Sequence, residues 1–238
     1  MQHTVTVARR FCGPRESANG GYVCGLIARF ARGTVTVRLL APPPLDTPMI
    51  LGEHDGLLEL RLGTDVLARA RPGDVDGLVP PAAPTAAEAV EASRRYAGFQ
   101  AHPAPACFVC GPERAPADGL RIFAGALDPY KNGPAAVAAP WTPDPSLDAG
   151  DGRVRSEFMW AALDCPGFAA AAPDMRPMLL GELTAQVDRR AAIGERCVVV
   201  GWPIASEGRK HEAGTAVFGA DGELYARGRA TWIEPRRP

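Results

Sequence analysis

Gly20-Gly-Tyr-Val-Cys-Gly-Leu-Ile-Ala-Arg-Phe30, followed almost at once by Gly33-Thr-Val-Thr-Val-Arg-Leu-Leu40, decides how this chain folds. The first segment is apolar nearly all round a helical turn, so a helix formed here must be buried on most sides. The second alternates β-branched residues with period two, the pattern of a strand. A helix of that kind is covered when a sheet wraps around it, which is an α+β arrangement. Residues 47–53, 57–62 and, beyond a turn at Gly63, 65–70 supply more strand-like sequence.

The same order returns downstream. Ser156-Glu-Phe-Met-Trp-Ala-Ala-Leu-Asp164 is a second helix-like stretch, which Pro166-Gly167 would kink or end. Residues 179–188, 195–202, 212–218 and 223–233 read as four strands. The last two are joined through Gly219-Ala-Asp-Gly222, a good hairpin signal. The first ten residues alternate like a strand, and residues 119–125 read as another. Between the two halves, Pro72, Pro80, Pro81, Pro84, Pro103 and Pro105 break the pattern. Residues 85–96 predict a short helix there, with Thr85 as cap and Glu88 as its capping-box partner. The expected organisation is an N-terminal half over residues 1–75, a Pro/Ala-rich linker over 76–105 and a C-terminal half over 106–238.

The chain of 238 residues is 46% hydrophobic and 22% charged, with a formal net charge of −1. That balance gives no support to nucleic-acid binding, which needs a basic surface to displace phosphate counterions. The start of the chain lacks the apolar core of a signal peptide. No run reaches the roughly 18–20 apolar residues of a membrane span. The cytoplasm is therefore the expected compartment, and the six scattered cysteines are expected as thiols.

Three motifs carry a family resemblance. Ala18-Asn19-Gly20-Gly21 is similar to the His-Gly-Gly or Asn-Gly-Gly helix entry of hotdog-fold acyl-CoA thioesterases. Cys107-Phe-Val-Cys-Gly-Pro112, with Asp118-Gly-Leu-Arg121, resembles the lead-in to such a domain. Trp160-Ala-Ala-Leu-Asp164-Cys-Pro-Gly167 resembles the second helix, where related enzymes carry an acidic residue. The resemblance implies two tandem hotdog domains, each an apolar helix wrapped by an antiparallel β-sheet, paired as a pseudo-dimer. It also implies an acyl-CoA or related thioester as partner and allows a homo-oligomer of the paired unit.

Thioester hydrolysis needs a polarised carbonyl and an activated water or a carboxylate. Helix N-terminal N–H groups are unpaired and sit at the positive end of the dipole. Gly20 and Gly21 would let a thioester oxygen approach them, with Asn19 orienting water or carbonyl. Asn before Gly is also an ordinary helix cap. Asp164 sits among Trp160, Ala161, Ala162 and Leu163, where a charge is costly and its pKa would rise. It suits a general base or acid, though it could instead cap or end the helix. Aligning Asn19 with Arg155 puts Ala28 opposite Asp164. The first half thus keeps Gly-Gly without the acid, and the second keeps the acid with Ser156-Glu157 in place of Gly-Gly.

In hotdog dimers the site uses one subunit's helix entry and the other's acid. The resemblance thus implies one composite catalytic site made of Asn19, Gly20, Gly21 and Asp164, with Arg155 and Trp160 as substrate contacts. Glu157 is a second candidate acid, although Glu in a first helical turn usually just complements the dipole. Arg29, Arg32, Arg121 and Arg155 are candidate partners for CoA phosphates. Cys107-Phe-Val-Cys110 lacks the second pair of a zinc site, and His102 alone lies near it in sequence. No metal and no cofactor are expected. A non-catalytic acyl-CoA or fatty-acyl binder and a scaffold module remain as rivals to the thioesterase-like hydrolase.

Overall fold

The computed structural model describes residues 2–128 and 135–236. In the N-terminal half, β1 (Gln2–Val5) precedes α1 (Gly20–Ala28). The strands β2 (Val35–Leu39), β3 (Met49–His54), β4 (Leu57–Leu62) and β5 (Asp65–Pro72) follow it. The linker helix α2 (Ala86–Ser93) leads to the short β6 (Gly125–Ala126) and to β7 (Val137–Trp141). Next come α3 (Ser156–Ala162) and α4 (Cys165–Ala171). The chain ends in β8 (Leu179–Val187), β9 (Cys197–Glu207), β10 (Lys210–Phe218) and β11 (Leu224–Ile233).

All these strands join one antiparallel sheet in the order β1-β3-β4-β5-β2-β8-β11-β10-β9-β7-β6. Leaving out β6, the order reads alike from either end. β1, β3, β4, β5 and β2 correspond in turn to β7, β9, β10, β11 and β8. The seam is the pair β2·β8, where Thr36 faces Thr184 and their hydroxyls lie 2.8 Å apart. Pairing at the seam turns what would be two sheet edges into interior strands.

One face of the sheet wraps α1 and α3, which pack on each other. Gly21 and Gly25 permit this. A Cβ on Gly21 would lie 2.5 Å from the Cβ of Asp164, and one on Gly25 would lie 2.6 Å from the Cα of Glu157. The helices run antiparallel, so the start of α1 meets the end of α3. Phe158 of α3 joins Phe11, Tyr22 and Phe108 in an aromatic cluster that ties both halves together.

The helix expected over residues 85–96 forms as α2. Thr85 and Glu88 exchange the two hydrogen bonds of a capping box. α2 lies on the opposite face of the sheet, where Ala89 and Ala92 pack with Ala138, Val198 and Val200. α2 therefore covers the outer face of the sheet at β7 and β9.

One expectation fails. Of residues 119–125 only Gly125, the first residue of β6, lies in a strand. Arg121 takes a positive φ of 55°, which interrupts extended chain. Leu120 and Ile122 instead donate to the carbonyls of Phe108 and Val109 across a loop. The strand that fills this place is β7, which the pattern did not reveal. Of the two outcomes expected at Pro166-Gly167, a kink or an end, the structure has a break followed by a new helix. α3 stops at Ala162, and Pro166 sits in the first turn of α4, where its missing N–H costs nothing.

Candidate active site

Asn19 is the N-cap of α1, and its Oδ1 accepts from the N–H of Tyr22 at 2.9 Å. This fixes the amide and leaves Nδ2 pointing at the second half, where it donates to Asp164 Oδ2 at 2.9 Å. The N–H of Gly21 donates to the same oxygen at 2.8 Å. Asp164 lies in the break between α3 and α4, in the position of an N-cap for α4. Its side chain makes no capping bond there. The carboxylate reaches across the chain instead, to Asn19 and Gly21.

Asp164 is buried, and its Oδ1 has no hydrogen-bond partner. Burial pushes its pKa up to about 7, against the opposing effect of the Gly21 N–H; the charge of Cys107 adds to the rise and Asn19 counters it. An acid at that value exchanges a proton near neutral pH.

A cavity of about 360 Å³ opens beside this group, within the size range of small-molecule pockets. Asn19, Gly20 and Asp164 line it together with apolar side chains such as Leu39, Phe168, Met178 and Trp232. The structure thus brings Asn19, Gly20, Gly21 and Asp164 together from both halves. It also shows that the Gly21 N–H, expected to stand open for a substrate oxygen, is occupied by Asp164.

Arg155 and Trp160, expected to contact substrate, are not among the residues lining this cavity. Trp160 is buried between α3 and α1, with its Cβ against Gly25. Arg155 caps α3 at the far end of the helix pair, its guanidinium over the Phe158 ring at 4.9 Å. Arg29, Arg32 and Arg121 do not line the cavity either, whereas Arg209 does. Arg29 pairs with Glu157 at 3.2 Å. No helical or strand period marked Arg209, because it lies in the β9–β10 turn and the fold alone carries it to the cavity.

Sulfur lines one wall. Cys107, Cys110 and Cys165 are buried and all border the cavity, with Cys107 and Cys165 Sγ 3.7 Å apart. Asn19 Nδ2 lies 3.8 Å from Cys107 Sγ. His102 Nδ1 accepts from the N–H of Ala104 at 2.9 Å, so the neutral ring carries its proton on Nε2, 3.4 Å from Cys110 Sγ. Burial lowers the His102 pKa and keeps that ring neutral. Spacing along the sequence pointed to Cys107 and Cys110, but nothing in it brought Cys165 to them.

Among the described residues no helix is long and apolar enough to cross a membrane. No protein-family model matches the chain, and no curated protein matches it in sequence. Solved structures do match along its whole length. A tesB protein from Mycobacterium avium subspecies paratuberculosis superposes with a TM-score of 0.61 at 14% identity, covering 99% of this chain and 93% of that one. A candidate thioesterase from Novosphingobium aromaticivorans gives 0.62 at 12% identity, covering 99% and 96%. A hot dog fold protein of unknown function from Alicyclobacillus acidocaldarius gives 0.61 at 13% identity, covering 100% and 94%. The wrapped helices, the antiparallel sheet and these superpositions agree: this chain has the hotdog fold.

Proposed function

We propose that the chain is a thioesterase-like hydrolase of acyl thioesters, built from two hotdog halves that meet at the β2·β8 seam as a pseudo-dimer and share one composite site. The observation that carries this reading is Asp164, a buried carboxylate with a pKa near 7, bonded on one oxygen to Asn19 and Gly21 of the other half and bare on the second. The apolar cavity beside it suits an acyl chain, and Arg209 at its border suits a CoA phosphate.

In this mechanism Asp164 Oδ1 takes a proton from a water that attacks the thioester carbonyl carbon. The carbonyl oxygen gains charge and is met by donors at the start of α1, where Asn19 Nδ2 and the Gly21 N–H converge. The C–S bond then breaks. The thiol leaves with the proton that Asp164 accepted, and the carboxylate is restored. Because Gly21 N–H and Asn19 Nδ2 both bind Asp164 in the free protein, substrate must share or displace these bonds. That same occupancy favours a second reading, an acyl-thioester binder in which Asp164 serves only to fasten the two halves.

Steady-state release of CoA from short-, medium- and long-chain acyl-CoAs separates the two. Turnover by the wild type that collapses in Asp164→Asn supports hydrolysis. Saturable binding without turnover in the wild type supports the binder, and absence of both removes the proposal.

A further inference from the structure

The Sγ atoms of Cys107, Cys110 and Cys165 all lie within 4.8 Å of one another, and each residue is buried. A tetrahedral ion with metal–sulfur bonds of about 2.3 Å holds neighbouring sulfurs about 3.8 Å apart. Cys107 and Cys165 already stand at 3.7 Å. The loop that supplies the first two sulfurs is shaped as a ligand turn. Gly111 N–H closes the turn onto the Cys107 carbonyl at 2.9 Å. A Cβ at Gly111 would lie 2.5 Å from the Pro105 carbonyl oxygen and from the Cys107 nitrogen, so only glycine fits there. His102 offers an N–H, from Nε2, to Cys110.

We propose that Cys107, Cys110 and Cys165 form a three-thiolate site for a soft divalent ion of the zinc class, with its fourth position opening onto the cavity. Thiolates select such an ion over hard cations. His102 is an outer partner and not the fourth ligand, because its Nδ1 is held by Ala104 and its Nε2 carries the proton. The three sulfurs border the same cavity as Asp164, and the ion would tie the 107–111 loop to the start of α4 next to that residue. Cys12, Cys24 and Cys197 are no part of the cluster.

The test is metal analysis of the full-length protein as purified, followed by anaerobic Co²⁺ titration of the reduced, metal-stripped chain. One zinc per chain is expected. Stoichiometric Co²⁺ should give the thiolate charge-transfer band and the intense visible bands of a tetrahedral site. Cys165→Ser should lose about a third of the charge-transfer intensity and weaken binding by more than the roughly 10–100-fold that loss of an outer partner costs. His102→Ala should weaken binding within that 10–100-fold range and leave the band intensity unchanged, while Cys24→Ser should change neither. The wild-type spectrum decides the matter even if Cys165→Ser fails to fold. Absence of both zinc and Co²⁺ bands in the folded wild type overturns the site. So does a spectrum that Cys165→Ser leaves intact, and a loss of intensity in His102→Ala overturns the open fourth position.

Discussion

The two ends of the α1–α3 pair receive a carboxylate in opposite ways. At the start of α1, Asn19 caps the helix, and the acid that Asn19 Nδ2 and the Gly21 N–H both bind arrives from beyond the end of the other helix as Asp164. At the start of α3 the cap is Arg155, the acid is Glu157 in the first turn itself, and the end of α1 supplies Arg29. Glu157 is as buried as Asp164, yet it has a guanidinium 3.2 Å away while Asp164 has only neutral donors. A nearby cation offsets the cost of burying a carboxylate, whereas neutral donors offset it only in part. One end of the pair is thereby an ion pair, and the other is an acid poised to exchange a proton. The sheet is nearly symmetric, but the two helix entries are not, and the proposed function uses only the one at α1.

The sharpest way to break this contrast is Asp164→Asn, for which kcat should fall by about 10²–10⁴-fold. An unchanged rate would mean that both ends are structural. The next effect is on stability. Asp164 binds its proton more tightly in the folded chain than its ordinary value of 3.8 would allow. Between about pH 4 and pH 7 the folded state therefore holds more protons than the unfolded one, and stability should fall as pH rises through that window. The loss should be of the order of a few kcal/mol, read by urea denaturation at pH 5 and pH 8. Asp164→Asn should flatten that component.

Gly21→Ala should cost about 1–3 kcal/mol by forcing the helices apart at the reactive end, and turnover should fall with it as Asp164 is displaced. Glu157→Gln carries the smallest expected effect, about 1 kcal/mol of stability or less, because Arg29 is half exposed and can turn to water. CoA release by that variant should stay within twofold of the wild type. A large loss of turnover would show that the ion-pair end also takes part.

Much of this contrast was legible in the residues. The Gly-Gly entry and a lone acid in an apolar run pointed to groups that the structure brings together. The alignment of Asn19 with Arg155 matches the structure, in which both are helix N-caps. The strands on either side of the helices followed from period-two patterns, and the Thr85 capping box from local chemistry alone. β7 was hidden because its short, Ala-rich run contains Pro140, which a strand tolerates only where its missing N–H is not needed. The positive φ of Arg121 broke an otherwise persuasive strand. Cys165 meets Cys107 only because the chain breaks at Asp164 and restarts as α4, a tertiary event with no periodic signal. Arg155 and Trp160 were placed near the substrate by their position in the motif, yet one lies at the opposite end of the helix pair and the other inside the helix–helix contact.

The proposed function rests on Asp164, an acid raised by burial to a pKa of about 7 and held by Asn19 and Gly21 of the first half. The most direct test is kcat/KM for a medium-chain acyl-CoA from pH 5 to pH 9, with the wild type beside Asn19→Ala. The wild type should rise with pH through an apparent pKa near 7, the value burial gives Asp164. Asn19 Nδ2 favours the charged carboxylate, so Asn19→Ala should move that limb to higher pH. A wild-type profile with no ascending limb near 7, or a limb that Asn19→Ala leaves in place, would contradict it.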